Sequence, residues 1–209
     1  MNYPDTSKYV GAFRNGKRNG QGTFRSVSGA RYIGRWKNDQ RHGKGIEISE
    51  NNERYEGRWK DDKKNGQGVM TYASGINFGE YKGSWKDGKK DGYGTLRTAV
   101  GTTYVGQWKN DKRHGQGVEV VTNVGKYSGE WENNIKSGHG LMTYKDGSKY
   151  SGEWKDGARH GIGTFRSASG SKFIGEWRNG QRHGQGTMLY RGGDQYSGEW
   201  ENDNFIGTK

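Results

Sequence analysis

The side chains best suited to acid–base work or metal ligation in this sequence are its five histidines, and four of them, His42, His114, His160 and His183, occupy equivalent places in a recurring pattern. His160 and His183 are one period apart. If each period is two β-strands, that separation is about 10 Å, twice the strand spacing, which is too far for one zinc ion with ligand bonds near ~2 Å. Glu47 and Glu119 stand at matching positions three periods apart, so they do not form a carboxylate pair. No Ser-His-Asp constellation is suggested. The absence of Cys excludes disulfides, thiolate metal sites and cysteine nucleophiles. Gly-x-Gly recurs along the chain, but it follows a turn and enters a strand, whereas a phosphate cradle needs a helix behind it. The expectation is a protein without catalytic apparatus, cofactor or metal.

The remaining chemistry is charge. The chain carries 35 Lys and Arg against 23 Asp and Glu, a formal +12, enough to attract polyanions without choosing among them. The excess is uneven: residues 1–104 hold 20 basic and 11 acidic residues, and 105–209 hold 15 and 12. A basic residue recurs five positions after an aromatic, at Arg18, Arg41, Lys64, Lys90, Arg113, Lys136, Arg159 and Arg182. One reading is an anion- or lipid-binding stripe beside the hairpin turns, each cation near an acidic membrane contributing about 1 kcal/mol. The other is a solvated edge that keeps a sheet soluble. The residue before the second aromatic of each period drifts from Arg35 and Arg58 to Glu130, Glu153, Glu176 and Glu199, which reads either as a polarity for head-to-tail or antiparallel self-association or as plain drift among copies.

The elements that position these residues come from one motif, aromatic-x-Gly-x-aromatic, beginning at Tyr9, Tyr32, Tyr55, Tyr81, Tyr104, Tyr127, Tyr150, Phe173 and Tyr196. The step is 23 residues except between Tyr55 and Tyr81, where three more are inserted and Phe78 holds the uninterrupted position. The second aromatic is Phe13 and then Trp36, Trp59, Trp85, Trp108, Trp131, Trp154, Trp177 and Trp200, which accounts for every Trp. Gly-x-Gly follows, from Gly20-Gln21-Gly22 to Gly184-Gln185-Gly186. Between them lie pairs such as Asn15-Gly16, Asn38-Asp39 and Asp61-Asp62, which tolerate the positive φ of tight hairpins. Hydrophobic content of 27% and mean hydropathy of −1.26 would suggest disorder, but aromatics at fixed spacing contradict it.

Alternation puts both aromatics and the glycine between them on one face. The same parity predicts that both glycines of the return strand share that face with Phe24, Met70, Leu96, Met142, Phe165 and Met188, with rings lying on bare glycine. The expected fold is all-β: an elongated, twisted single-layer antiparallel sheet of nine hairpins of about 23 residues, of the order of 85 Å long. A lead-in at 1–8 precedes one repeat domain at 9–209 whose last unit is shortened.

Tyr-x-Gly-x-Trp followed by Gly-x-Gly at this period, in register from residue 9 to 207, resembles the MORN (membrane occupation and recognition nexus) repeat. The resemblance implies a single-layer sheet with a groove on one face, and roles in tethering membranes, organising cytoskeletal structures and presenting protein-binding surfaces. Two functions are therefore carried forward. One is a scaffold binding a partner helix or peptide along a groove lined by Tyr32, Trp36, Tyr55, Trp59, Tyr81, Trp85, Tyr104, Trp108, Tyr127, Trp131, Tyr150 and Trp154. The other is a peripheral module docking on anionic phospholipid through the basic stripe. Nucleic acid is not expected, because no recognition module is present. The terminal strand edge is a candidate homodimer contact. With no apolar leader at the N-terminus, the expected location is cytoplasmic, with membrane or cytoskeletal association.

Overall fold

A computed structural model describes residues 6–75 and 78–208, and its regular structure is entirely β-strand. Two compact units emerge, Met1–Asp111 and Lys112–Lys209. The first holds β1 (Lys8–Arg14), β2 (Lys17–Arg25), β3 (Arg31–Lys37), β4 (Gln40–Ile48), β5 (Arg54–Lys60), β6 (Lys63–Tyr72), β7 (Gly79–Lys86), β8 (Lys89–Thr98) and β9 (Thr102–Lys109). The second holds β10 (Lys112–Val121), β11 (Gly125–Glu132), β12 (Ile135–Tyr144), β13 (Lys149–Lys155), β14 (Ala158–Arg166), β15 (Lys172–Arg178), β16 (Gln181–Leu189), β17 (Gln195–Glu201) and β18 (Asn204–Gly207). Within each unit every strand pairs antiparallel with its neighbours in sequence.

The tight turns follow from their residue types. Both central residues have positive φ, as at Asn15 (50°) and Gly16 (72°) or Asn38 (48°) and Asp39 (69°). That is the requirement of the type I′ turn whose twist matches a hairpin, and Asn, Asp and Gly accept it. The three extra residues after β6 leave the register of the core intact: Tyr81 is fully buried, whereas Phe78 is 50% exposed ahead of β7. The insertion expected there includes Ile76 and Asn77, which lie outside the described residues.

One expectation about parity needs correction. The second glycine of each Gly-x-Gly does lie beneath a ring, but the first does not share its face. Each first glycine adopts positive φ, for example Gly20 (96°), Gly43 (69°), Gly138 (56°) and Gly184 (58°). The ladder shifts at the same place, pairing Gly34 with Gly45 and then Trp36 with Arg41. Two additional residues on the return strand make a bulge, and a left-handed residue within it turns its Cα to the other side of the sheet. A Cβ on Gly43 would touch the stem of Arg35, and one on Gly138 the carboxylate of Glu130, both opposite the aromatic face.

The core is that aromatic face. Tyr9, Tyr32, Tyr55, Tyr81, Tyr104, Tyr127, Tyr150 and Phe173 are 0–2% exposed, and Trp36 through Trp200 are 2–7% exposed. Rings alternate edge to face: Tyr9, Trp36, Tyr32, Trp59, Tyr55, Trp85, Tyr81 and Trp108 follow one another at centroid distances of 5.0–5.5 Å in the first unit. In the second unit the sequence Trp131, Tyr127, Trp154, Tyr150, Trp177, Phe173, Trp200 repeats it at 5.1–5.3 Å. Each aromatic buries about 150–250 Å², which is how so polar a chain assembles a core.

Candidate functional site

Seven tyrosines and the eight indoles are each fixed by a hydrogen bond as well as by packing. The Tyr32 hydroxyl donates to the carbonyl of Arg35 (3.0 Å), which the bulge leaves available, and Tyr9, Tyr55, Tyr81, Tyr104, Tyr127 and Tyr150 do the same one position before their own second aromatic. Each Trp indole N–H donates to the second glycine of the preceding Gly-x-Gly, as Trp59 to Gly45 (3.3 Å) and Trp177 to Gly163 (3.2 Å). Burial pushes the hydroxyls of Tyr32, Tyr55, Tyr81 and Tyr127 well above the usual phenol range and that of Tyr150 up to about 12. The twelve residues expected to line a partner groove, Tyr32, Trp36, Tyr55, Trp59, Tyr81, Trp85, Tyr104, Trp108, Tyr127, Trp131, Tyr150 and Trp154, are thus walls packed on one another, with little surface left exposed.

The basic stripe is likewise a different object from either reading of the sequence. Rather than projecting beside the turns, each cation folds over the Trp of the next hairpin. Arg18 lies 4.1 Å from the Trp36 ring, Arg41 4.2 Å from Trp59, Lys64 5.4 Å from Trp85 and Lys90 4.8 Å from Trp108. Arg113 is 4.3 Å from Trp131, Lys136 5.5 Å from Trp154, Arg159 4.1 Å from Trp177 and Arg182 4.4 Å from Trp200. Cation–π contacts of this kind contribute about 0.5–2 kcal/mol, more as water is excluded. Desolvation accordingly lowers the pKa of Lys64, Lys90 and Lys136.

The same residues tie one turn to the next. The Arg18 amide donates to Asp39 Oδ1 (2.8 Å), its guanidinium reaches the Asp39 carbonyl (2.8 Å), and the Asp39 amide returns a bond to the Arg18 carbonyl (3.0 Å). Arg41 with Asp62, Arg113 with Asn134 and Arg182 with Asp203 repeat the bracket, and Lys90 uses its amide toward Asp111. The bond from Arg18 holds the Asp39 carboxyl below the usual range. Where the turn carries Gly instead, the side-chain acceptor is lost and the backbone bond remains, as from Gly88 to Lys64 (2.9 Å), with the Arg159 guanidinium still reaching the Gly180 carbonyl. The eight cations are therefore committed to the fold.

Openings remain beside this lattice. The position of Phe24, Met70 and Leu96 is Glu47 in β4 and Glu119 in β10, and there the carboxylate pairs with Arg41 and Arg113 of its own strand. Toward the end of the second unit the same position is Phe165 and Met188, both half-buried. They line an apolar groove of about 400 Å³ with Phe173, Trp177, Arg159 and Arg182. Sequence reasoning noted Phe165 and Met188 only as core-facing, and the signal that marks them is the lack of a partnering carboxylate at their place. Among the described residues no group of His, Asp and Glu is arranged to hold a metal ion, and no helix is long and apolar enough to cross a membrane.

A family model for the MORN repeat matches residues 9–31, 32–54, 55–76, 81–103, 104–120, 127–149, 150–172 and 173–195. No curated protein matches the chain in sequence. Among solved structures, the wild-type TCP10 domain of Danio rerio CPAP is similar in fold, with a TM-score of 0.50 at 10% identity over 95% of this chain and 92% of that one. The same domain in complex with a peptide of Danio rerio STIL gives a TM-score of 0.32 at 9% identity over 92% and 100% of the two chains.

Proposed function

The chain belongs to the MORN repeat family, and from that premise we propose that it is a non-catalytic scaffold that binds a partner protein as an extended peptide or helix laid along its aromatic face. The observation that carries this reading is the groove in the second unit bounded by Phe165, Met188 and Trp177, with Arg159 and Arg182 at its rim. Such a groove accepts an apolar anchor side chain of the partner. The rigid ring lattice beneath means that little order is lost by the scaffold on binding. The eight stacked cations give a lipid-docking stripe no comparable support, because each is already engaged with an indole ring.

Peptide-display selection against the intact chain tests this. Enriched sequences should share an apolar or aromatic anchor, and their binding should fall at least tenfold with Met188→Asp. Selection without a shared anchor, or peptides indifferent to Met188→Asp, would overturn the assignment.

A further inference from the structure

The face opposite the rings carries a second set of residues whose role changes between the two units. In the second unit the residue before each Trp is Glu, and in three of the four its carboxylate crosses the sheet bulge to accept a backbone amide, while Glu199 accepts from the Gln185 side chain. Glu130 Oε1 accepts from His139 (2.9 Å), Glu153 Oε1 from Ile162 (3.0 Å) and Glu176 Oε1 from Gln185 (2.9 Å). The bulge is therefore a carboxylate-receiving place, occupied from within. In the first unit the same position holds Arg35 and Arg58, whose stems follow the same path across Gly43 and Gly66 (3.2 Å from a Cβ built at either).

Among the described residues no internal carboxylate takes that place here. Lys44 sits directly opposite Arg58 in the β4–β5 ladder, and Gln21 opposite Arg35 in the β2–β3 ladder. Like charges held opposite one another destabilise a sheet unless something lies between them. Arg35, Lys44 and Arg58 are exposed and have no ion pair among the described residues. Of the carboxylates on adjacent segments, Glu56 is engaged by Arg54 (2.5 Å) and Asp61 faces His42 (3.5 Å). Gln21, Arg35, His42, Lys44, Arg58 and Asn65 border a shallow cavity of about 620 Å³.

The geometry points to this face as a docking surface for an acidic segment of a partner protein, whose carboxylates occupy at Arg35 and Arg58 the place that Glu130, Glu153 and Glu176 fill from within. The ligand chemistry is taken from the molecule's own usage, a carboxylate, and Arg favours it because a planar guanidinium meets both oxygens at once. Spacing adds a constraint. Arg35 and Arg58 lie two strands apart, about 10 Å. A polyproline II segment, with three residues per turn and about 3.1 Å per residue, brings a side chain back to the same side every ~9 Å. The preferred ligand is then a segment with acidic residues at i and i+3, running across the strands. This surface is separate from the groove at Phe165 and Met188 and stands or falls without it.

The test is fluorescence anisotropy at ~0.15 M salt, where screening confines the field of scattered charges to about 8 Å. The probes are a labelled peptide with Glu at i and i+3 among Pro and Ser, and a composition-matched peptide with its two Glu residues contiguous. The spaced peptide should bind at least tenfold tighter. Arg35→Glu/Arg58→Glu installs the residue found at this position in the second unit and should remove that binding. Arg35→Gln/Arg58→Gln, which copies Gln107 at the equivalent place in β9, should do the same if the first variant folds poorly. Lys86→Glu/Lys109→Glu, an equal charge change elsewhere on the unit, should alter affinity less than threefold, and Met188→Asp should leave it unchanged. Equal losses with both charge reversals, or no preference for the spaced peptide, would overturn the proposal. So would capture of vesicles containing phosphatidylserine in place of either peptide, which would assign the face to lipid.

Discussion

The second glycine of each Gly-x-Gly is the residue on which the fold should be least forgiving, and Gly45 shows why. Tyr32 lies over it, so a Cβ at this position would meet the ring carbon Cζ at 2.5 Å and the hydroxyl closer still. The ring cannot tilt away, because Trp36 and Trp59 hold it edge to face at 5.0 and 5.4 Å. Overpacking alone costs about 1–3 kcal/mol. Expelling the ring forfeits roughly 150 Å² or more of burial, about 4 kcal/mol at ~25 cal/mol per Å². Gly45→Ala should therefore lose about 3–4 kcal/mol in urea unfolding. Gly16→Ala, at φ 72° with nothing within 4 Å, should lose only the left-handed penalty of about 1–2 kcal/mol. The decisive comparison is Gly45→Ala in a Tyr32→Ala background. With the ring removed, the three atoms nearest the added methyl are gone, so the second substitution should cost about 0 kcal/mol and the pair should couple by at least about 2 kcal/mol. Additive losses would refute the claim that the glycine exists to seat the ring.

Phe173 is the one first aromatic of the second unit's ring series without a hydroxyl, while the corresponding Tyr150 donates to Glu153 at 2.9 Å; Phe173→Tyr should supply the missing bond and raise stability by about 1 kcal/mol, read from the urea midpoint. Arg41→Ala removes the contact with Trp59 and the guanidinium's bonds to Asp62 together, leaving the backbone bonds of the bracket, and should cost about 1–3 kcal/mol by the same measurement, whereas a solvated stripe residue would cost almost nothing. The raised phenol pKa values make stability alkali-sensitive: the native state holds protons that the unfolded chain releases above pH ~10, so stability is complete below that and falls as pH rises toward the folded value of about 12 at Tyr150. Lys64, Lys90 and Lys136, with lowered values, oppose this weakly, and absorbance titration of the phenols beside far-UV circular dichroism should show ionisation and unfolding together.

The repeat, its hairpin turns and the single face of aromatics were legible because each follows from a local rule: period two in strands, positive φ at Asn, Asp and Gly, and the fixed interval from Tyr32 to Tyr55. What escaped was longer in range. The first glycine changes face only because two extra residues form a bulge, which parity counting passes over. The destination of Arg18 is the Trp of the following hairpin, and the trace of it in the sequence is an Asp or Asn 21 residues on, at Asp39, Asp62, Asp111, Asn134 and Asp203. Glu130, Glu153 and Glu176 read as a row of surface charge, yet they accept amides from the strand beside them. In each case the residue's role depends on a neighbour outside its own strand.

If the scaffold reading is correct, isothermal titration of a display-selected peptide into the intact protein separates it from every alternative. Affinity should fall at least tenfold with Phe165→Ser and stay within twofold with Arg35→Glu/Arg58→Glu. Affinity that ignores Phe165 would contradict the groove as the place where this repeat array meets its partner.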